Sequence, residues 1–351
     1  DHLFASKCDA TGEKIFSFIP PEMPFTVYGN EYWNSDKWDA MDYGREYDFS
    51  RPFFDQFREI YHEVPWGIMW TMEMVNCDYS VSAFSRNCYL CFDSGYDEDC
   101  AYGVTVLYSK QCFDCLNVKD SELSYYCLNT NQSYKTFFSR ECTSCVDVWF
   151  SQDCVGCSSC FGCSGLRNKN YCIFNQEYER DVYLKKLGEM KLNTWSGLQK
   201  ARKKAMNFWM KSPVKYRHST QVSNSSGDYL YNGKELKDCF FVGNAQNMKY
   251  CQSVIYPPNN DSYDVTSSEG TELSCEILSC GRGAHGNVAV VETANSSNCY
   301  YSINCRNVSN CFGCVALRSK KYCIFNKQYS KEEYFKLLPQ ITKHMDEMPY
   351  T

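Results

Sequence analysis

Long apolar runs are absent from this 351-residue sequence, and so is any basic excess. No stretch approaches the roughly 18 to 20 apolar residues that a membrane-crossing helix needs, so no membrane span is expected. Asp1 to Pro20 lacks the basic, apolar, small-residue order of a signal peptide. A formal net charge of -6 gives no global attraction for a phosphate backbone, because nucleic-acid-binding domains are normally basic. Histidine is scarce, with only His2, His62, His218, His285 and His344, and no Ser-His-Asp or Cys-His pairing follows from their positions. Charged residues at 22% and hydrophobic residues at 44% argue against disorder.

Cysteine, by contrast, is abundant, at 24 residues. Short secreted chains use such a density to replace a core with disulfides, but this chain is long enough to build one. A reducing intracellular compartment or a viral particle is therefore favoured over secretion. Five Asn-x-Ser/Thr sequons, such as Asn131-Gln-Ser133 and Asn307-Val-Ser309, are what a chain rich in Asn and Ser produces by chance.

The cysteines keep a frame. Written in sixes from Cys88, all thirteen cysteines up to Cys172 fall on the first or fourth position, and Ser109, Ser121, Ser133, Ser139 and Ser151 fill the fourth elsewhere. A second frame from Cys239 places Cys251, Cys275, Cys299, Cys305, Cys311 and Cys323 first and Cys314 fourth, leaving Cys280 outside it. Phe161 to Tyr178, FGCSGLRNKNYCIFNQEY, returns as FGCVALRSKKYCIFNKQY at Phe312 to Tyr329, displaced by 151 residues. The chain is thus an internal duplication.

A hexad of small and β-branched residues without helical periodicity predicts a β-solenoid, one short strand and a corner per hexad. The fold class expected is mainly β, with two parallel β-solenoid units joined and capped by helices. The boundaries read 1–75 for an N-terminal segment with a capping helix, 76–177 for the first solenoid, 178–218 for a helical hairpin, 219–328 for the second solenoid and 329–351 for a C-terminal helix. A coil of three or four hexads, 18 or 24 residues, fits this reading. Ser50 to Val64, with a Ser cap, an early Pro and apolar residues at Phe53, Phe54, Phe57, Ile60, Tyr61 and Val64, predicts an amphipathic helix covering the open end of the first solenoid.

The run Cys154-Val-Gly-Cys-Ser-Ser-Cys-Phe-Gly-Cys163 is where a metal reading competes with a packing one. Cys154, Cys157, Cys160 and Cys163 would be the ligands of a zinc or iron-sulfur site. The same CxxC spacing recurs at Cys88/Cys91, Cys112/Cys115, Cys142/Cys145 and Cys311/Cys314, which reads as a structural ladder of buried thiols with no cofactor. Other candidates are weaker. Gly281 to Gly286 fits GxGxxG, but NVAVVE after it reads as a strand. The acids Asp93, Asp97, Glu98 and Asp99 in DSGYDED, with Asp261, Asp264 and His285, are the groups an enzyme would need to bring together. Lys200, Arg202, Lys203 and Lys204, backed by Lys185, Lys186, Lys191, Lys211, Lys215 and Arg217, form the cationic concentration of the chain and a candidate anion site.

The stretches from Trp33 to Phe57 (WNSDKWDAMDYGREYDFSRPFFDQF), CFGCSGLRNKNYCIFNQEY, KYRH (Lys215 to His218) and CFGCVALRSKKYCIFNKQYSKEEY resemble a family of long Cys/Asn-rich hexad-repeat proteins of uncultured bacteria and large DNA viruses. Some of its members carry a CoA-transferase-type label, which these residues do not support. The resemblance implies a zinc-ribbon-like element before the Trp-Asp segment. Here Cys8-Asp-Ala-Thr-Gly and Val27-Tyr-Gly-Asn-Glu keep its outline with a single cysteine.

Together these features read as a non-enzymatic scaffold presenting solenoid faces to a protein partner or to further copies of itself. One alternative is a polysaccharide-active or polysaccharide-binding β-helix. The other is a cysteine-zinc module associated with nucleic acid.

Overall fold

The computed structural model describes residues 3–68, 71, 73–77, 79–254, 259–268, 271–280 and 284–348. The chain divides into two compact units, Met69–Val214 and Asp1–Ile68 with Lys215–Thr351. Both are mainly β, built from parallel strands.

In the first unit, strands fall alternately into two sheets. Val104–Leu107 and Leu116–Lys119 belong to a five-stranded sheet, and Lys110–Phe113 and Glu122–Tyr125 to a seven-stranded one. Each strand pairs in parallel with the strand twelve residues on, as Lys110 with Glu122 and Leu116 with Leu128. A rung is therefore two hexads, shorter than the expected 18 or 24 residues. The reason lies in a finer period of three. Every third residue from Ser109 to Ser151 is buried, and the residue before each of these has a positive φ near 50°, from Tyr108 to Phe150. Four such corners close twelve residues.

The period of three also explains the chemistry of the buried positions. Within each triplet the corner N–H donates to the carbonyl thirteen residues back, as Asp120 to Leu107 at 3.0 Å, and the outward residue's N–H donates eleven residues ahead, as Lys110 to Ser121 at 3.0 Å. The buried residue's N–H points inward, away from this ladder. It finds a side chain instead: Ser121 N–H donates to Ser109 Oγ (3.2 Å), Ser133 to Ser121 Oγ (3.2 Å) and Cys112 to Cys100 Sγ (3.5 Å). The accepting side chain donates in turn to the carbonyl two residues before it, as Ser121 Oγ to Lys119 (2.8 Å) and Cys112 Sγ to Lys110 (3.4 Å). Only a short side chain with both a lone pair and a hydrogen does both jobs, so Ser and Cys recur because buried polar groups must be paired.

Non-glycine residues in the left-handed region cost roughly 1–2 kcal/mol each, with Asn and Asp among the best tolerated. Side-chain columns on successive rungs offset that cost. Asn117 Nδ2 donates to Asn129 Oδ1 at 2.8 Å, and Asn87 Nδ2 to Asp99 Oδ1 at 2.9 Å. The corner rings of Phe84, Tyr96 and Tyr108 stack at 4.8 and 4.7 Å.

The second unit holds an eleven-stranded sheet from Ser219–Ser223 to Lys327–Gln328. The step is again twelve for Gly227 with Cys239 and Ser309 with Lys321. It slips to fourteen at Ala245 with Asn259 and thirteen at Cys275 with Val288. The two slips add three residues, so the hexad frame re-enters phase by Cys299 although it was broken between. Cys275 lies between the slips, where Ser274 and Ile277 take the inward places, so it matches the frame by count alone, and it is half-buried where the framed cysteines around it are buried. The side chain of Cys280 lies outside the described residues.

Each stack ends in the duplicated motif. Cys172 pairs antiparallel with Glu177, and Cys323 with Gln328. The turns carry positive φ at both central residues, Phe174 and Asn175 (49° and 65°) and Phe325 and Asn326 (46° and 60°), the conformation of a type I′ hairpin. Asn175 accepts from Ser164 N–H and donates to its carbonyl (2.9 and 2.8 Å), and Asn326 does the same with Val315 (2.9 and 2.8 Å). The helices Arg180–Glu189 and Lys331–Glu347 follow and bury Tyr183 and Tyr334 at matching positions.

The N-terminal helix, Phe53–Glu63, packs on the second stack, within its own compact unit, and not on the first as expected. Its N-cap is Pro52, with no side-chain cap from Ser50, which bonds Asp48 instead. Phe53 lies 5.3 Å from Phe325 and 5.1 Å from Phe312. Asn326 Nδ2 reaches Ala40 O at 2.9 Å, and Arg45 N–H donates to Phe325 O at 3.0 Å. In the first unit the corresponding turn is covered by the helix Trp195–Trp209, whose Phe208 lies 5.6 Å from Phe174.

Candidate functional site

The cysteine run Cys154, Cys157, Cys160 and Cys163 is fully buried. Successive members take successive inward positions of the rung, and each sulfur donates to a carbonyl two residues back: Cys154 to Gln152, Cys157 to Val155, Cys160 to Ser158 and Cys163 to Phe161, at 3.4–3.5 Å. The ladder cysteines Cys88, Cys112, Cys142, Cys145, Cys311 and Cys314 make the same bond. A thiol in that geometry can donate, whereas a metal ligand must have lost its proton. Among the four, hydrogen bonds from the Cys142 and Cys157 thiols hold Cys154 low, at about 4, while bonds to neighbouring thiols and burial push Cys157 and Cys160 up. Among the described residues no three His, Cys, Asp or Glu side chains are placed to share an ion. The Cys100 thiol bonded to Cys88, together with burial, pushes Cys88 up to about 12, and burial does the same to Cys172.

Cys8 differs. It lies after the first strand of the hairpin Phe4–Lys7 and Lys14–Ser17 and accepts from Gly29 N–H at 3.3 Å. Burial works to raise its pKa, but hydrogen bonds from Gly29 and Thr11 outweigh this and hold it below the usual thiol value. Cys8 is the one cysteine of the segment before Trp33.

The acids do not converge. Asp93 is an exposed corner that accepts from Thr105 Oγ1 (3.3 Å), and Asp99 accepts from Asn87. Glu98 lies in a charge column between Arg86 and Lys110, the latter at 2.9 Å. Asp97 points inward, 3% exposed, with Oδ1 accepting from Ser109 N–H at 2.9 Å and no partner on Oδ2. Burial pushes its carboxyl up to about 8. In the second unit Asp261 accepts from Asn247 (2.8 Å), while Asp264 and His285 are exposed. Residues 281–283 of the GxGxxG match lie outside the described residues, and Val288–Val291 after it is a strand as expected.

Two arrangements carry no strong sequence signal. Arg318 donates to the Trp33 carbonyl, and its guanidinium lies 5.3 Å from the ring centroids of both Trp33 and Trp38. The duplicated position, Arg167, pairs with Asp153 instead. His218 Nδ1 lies 3.2 Å from Asp228 Oδ2, and its ring stacks on Tyr229 at 4.6 Å, which stacks on Phe241 at 4.6 Å. The KYRH element hinted at the second of these, and the paired tryptophans of WNSDKW at the first.

Lys200, Arg202, Lys203 and Lys204 are exposed on the helix Trp195–Trp209. A shallow open depression there is lined by Gln199, Arg202, Lys203, Met206 and Asn207. A smaller niche in the other unit lies among Trp38, Asp39, Ala40, Ala316 and Arg318. No described helix is long and apolar enough to cross a membrane.

No family model and no curated protein matches the chain. Among solved structures, a protein assigned as an acetyltransferase from Desulfovibrio desulfuricans G20 is similar over 66% of this chain and 63% of its own, less than two thirds of its length, at 8% identity and a TM-score of 0.15. The polySia-specific acetyltransferase NeuO is similar over 80% of this chain and 93% of its own, at 9% identity and a TM-score of 0.08. Likeness at that level assigns neither an activity nor a fold.

Proposed function

We propose that both parallel stacks are β-solenoids of the hexad-repeat kind and that the chain is a non-enzymatic scaffold working through their outer faces. The observation that carries this is the dispersal of its titratable groups. In a rung where each triplet sends its three residues in different directions, neighbouring acids of DSGYDED enter separate columns, and all four are engaged rung to rung. The interior is filled by side chains bonded to their own backbone, which leaves no room for a substrate. The thiols serve as hydrogen-bond donors, which supports a reducing compartment.

A protein surface, or a second copy of the chain, suits these faces better than a polysaccharide. Sugar recognition uses the flat face of an aromatic ring, and Phe84, Tyr96 and Tyr108 spend their faces on one another. The test is turnover on a panel of acidic and neutral polysaccharides, together with sedimentation of the purified chain. The scaffold reading expects no product, and self-assembly that weakens stepwise as Phe84, Tyr96 and Tyr108 are replaced by serine. Product release abolished by one carboxylate substitution overturns it.

A further inference from the structure

The net charge of the chain hides one segment of opposite character. From 190 to 214 it has no Asp or Glu and six bases: Lys191, Lys200, Arg202, Lys203, Lys204 and Lys211. The helix Trp195–Trp209 buries Gly197, Ala201 and Ala205 on the stack. At 100° per residue its opposite face carries Trp195, Gln199, Met206 and, at the C-cap, Met210, with Lys203 among them, Arg202 on one flank and Lys200 and Lys204 on the other. Trp195 is 76% exposed, Met210 86% and Val214 77%. Lys200, Lys203, Lys204 and Lys211 make no ion pair among the described residues.

We propose that this helix is a docking surface for an anionic lipid bilayer, lying flat in the headgroup layer. Two independent features point to that occupant. Six bases without an acid complement a negatively charged leaflet. Large apolar side chains standing out between them gain by entering the acyl boundary, with Trp at home at the interface itself. A nucleic acid would use the bases but leave Met206, Met210 and Val214 in water, since these have no ring to stack on a base.

The experiment is co-sedimentation of the full chain with sucrose-loaded vesicles of phosphatidylcholine, with and without phosphatidylserine, at low and high salt. Binding is expected with phosphatidylserine vesicles alone, and weaker in salt. Affinity falls about fivefold for each base removed in Lys200→Gln, Lys203→Gln and Lys204→Gln. Trp195→Ser with Met210→Ser weakens binding severalfold at unchanged charge. All five positions are exposed, so unchanged melting temperatures show that the variants fold. No sedimentation with phosphatidylserine vesicles overturns the proposal. So does a serine variant that binds like the parent chain, or single-stranded RNA that displaces the vesicles while the serine changes have no effect. Failure here leaves the scaffold reading intact, because the helix lies outside the stacked faces.

Discussion

Ser133 donates its backbone N–H to the hydroxyl of Ser121, one rung earlier, at 3.2 Å, while that hydroxyl donates to the Lys119 carbonyl at 2.8 Å. Both residues are buried, so no water replaces either bond. Ser121→Ala orphans the Ser133 N–H and is expected to cost about 1–3 kcal/mol. Ser121→Cys costs less, because Cys100 Sγ already accepts the Cys112 N–H in the same role. Urea denaturation of the two variants checks this, and equal losses would refute the dual role of the side chain.

Asp97 makes stability depend on pH. Its folded pKa, about 8, lies above the ordinary carboxylate value of about 4. Between those values the folded chain holds a proton that the unfolded chain releases, so stability is full below about pH 4 and falls as pH rises towards 8. Asp97→Asn keeps an oxygen for the Ser109 N–H and removes the charge. The variant is expected to be more stable than the parent above about pH 8, by up to several kcal/mol, with the slope between pH 4 and 8 much reduced. Melting temperatures across that range provide the measurement.

The hexad frame made the β character and the duplication legible, because Cys and Ser mark the inward positions. The true period of three was visible in CVGCSSCFGC but masked elsewhere, since Val106, Asp97 and Thr130 take inward places without resembling Cys. Rung length is set by which strands pair laterally, and no local composition encodes that. Cys275 shows the limit from the other side: it matches a frame counted along the sequence, yet it lies between the two slips, where Ser274 and Ile277 take the inward places. The candidate acids were adjacent in sequence, yet adjacency within a triplet means divergence in space. The partner of the N-terminal helix was illegible because it depends on Phe53 meeting Phe312 and Phe325, far along the chain.

The thiols should separate by access. Cys275 is half-buried and the other described cysteines are buried. A thiol reagent under native conditions is expected to label Cys275 in its fast phase, and all 24 thiols only after denaturation. Cys275→Ser removes the fast phase, with a Cys280→Ser variant as control. Elemental analysis is expected to find no stoichiometric zinc, and two or more ions per chain would overturn the assignment of the sulfurs as donors.

Gly162 and Gly313 sit at equivalent places in the duplicated motif, with φ of 66° and 65°. A Cβ on Gly162 would come within 2.4 Å of the Phe174 ring, and one on Gly313 within 2.6 Å of the Phe325 ring. Alanine at either site therefore combines left-handed strain of roughly 1–2 kcal/mol with overpacking of about 1–3 kcal/mol. Each change should loosen its own terminal turn, detected by limited proteolysis. Wild-type resistance in either variant would show that the rings move aside freely.

Arg318 ties the N-terminal segment to the end of the second stack, and its geometry specifies arginine. The guanidinium lies against Trp33 and Trp38 at 5.3 Å from each and donates to the Trp33 carbonyl, while Lys320 lies 3.8 Å from Asp39. Burial lowers the Arg318 pKa, but guanidinium remains charged far above neutral pH. Lysine keeps the charge and loses the flat cation that spans two indoles, so Arg318→Lys is expected to cost about 1–3 kcal/mol, close to Arg318→Ala. The loss should be local: proteolytic cleavage appears between Trp33 and Phe57, while the rungs from Ser297 to Ile324 stay protected from hydrogen exchange. A lysine variant with wild-type protection of that segment would show that charge alone holds it. A loss spread evenly over the second stack would show instead that the segment and the stack fold as one cooperative unit.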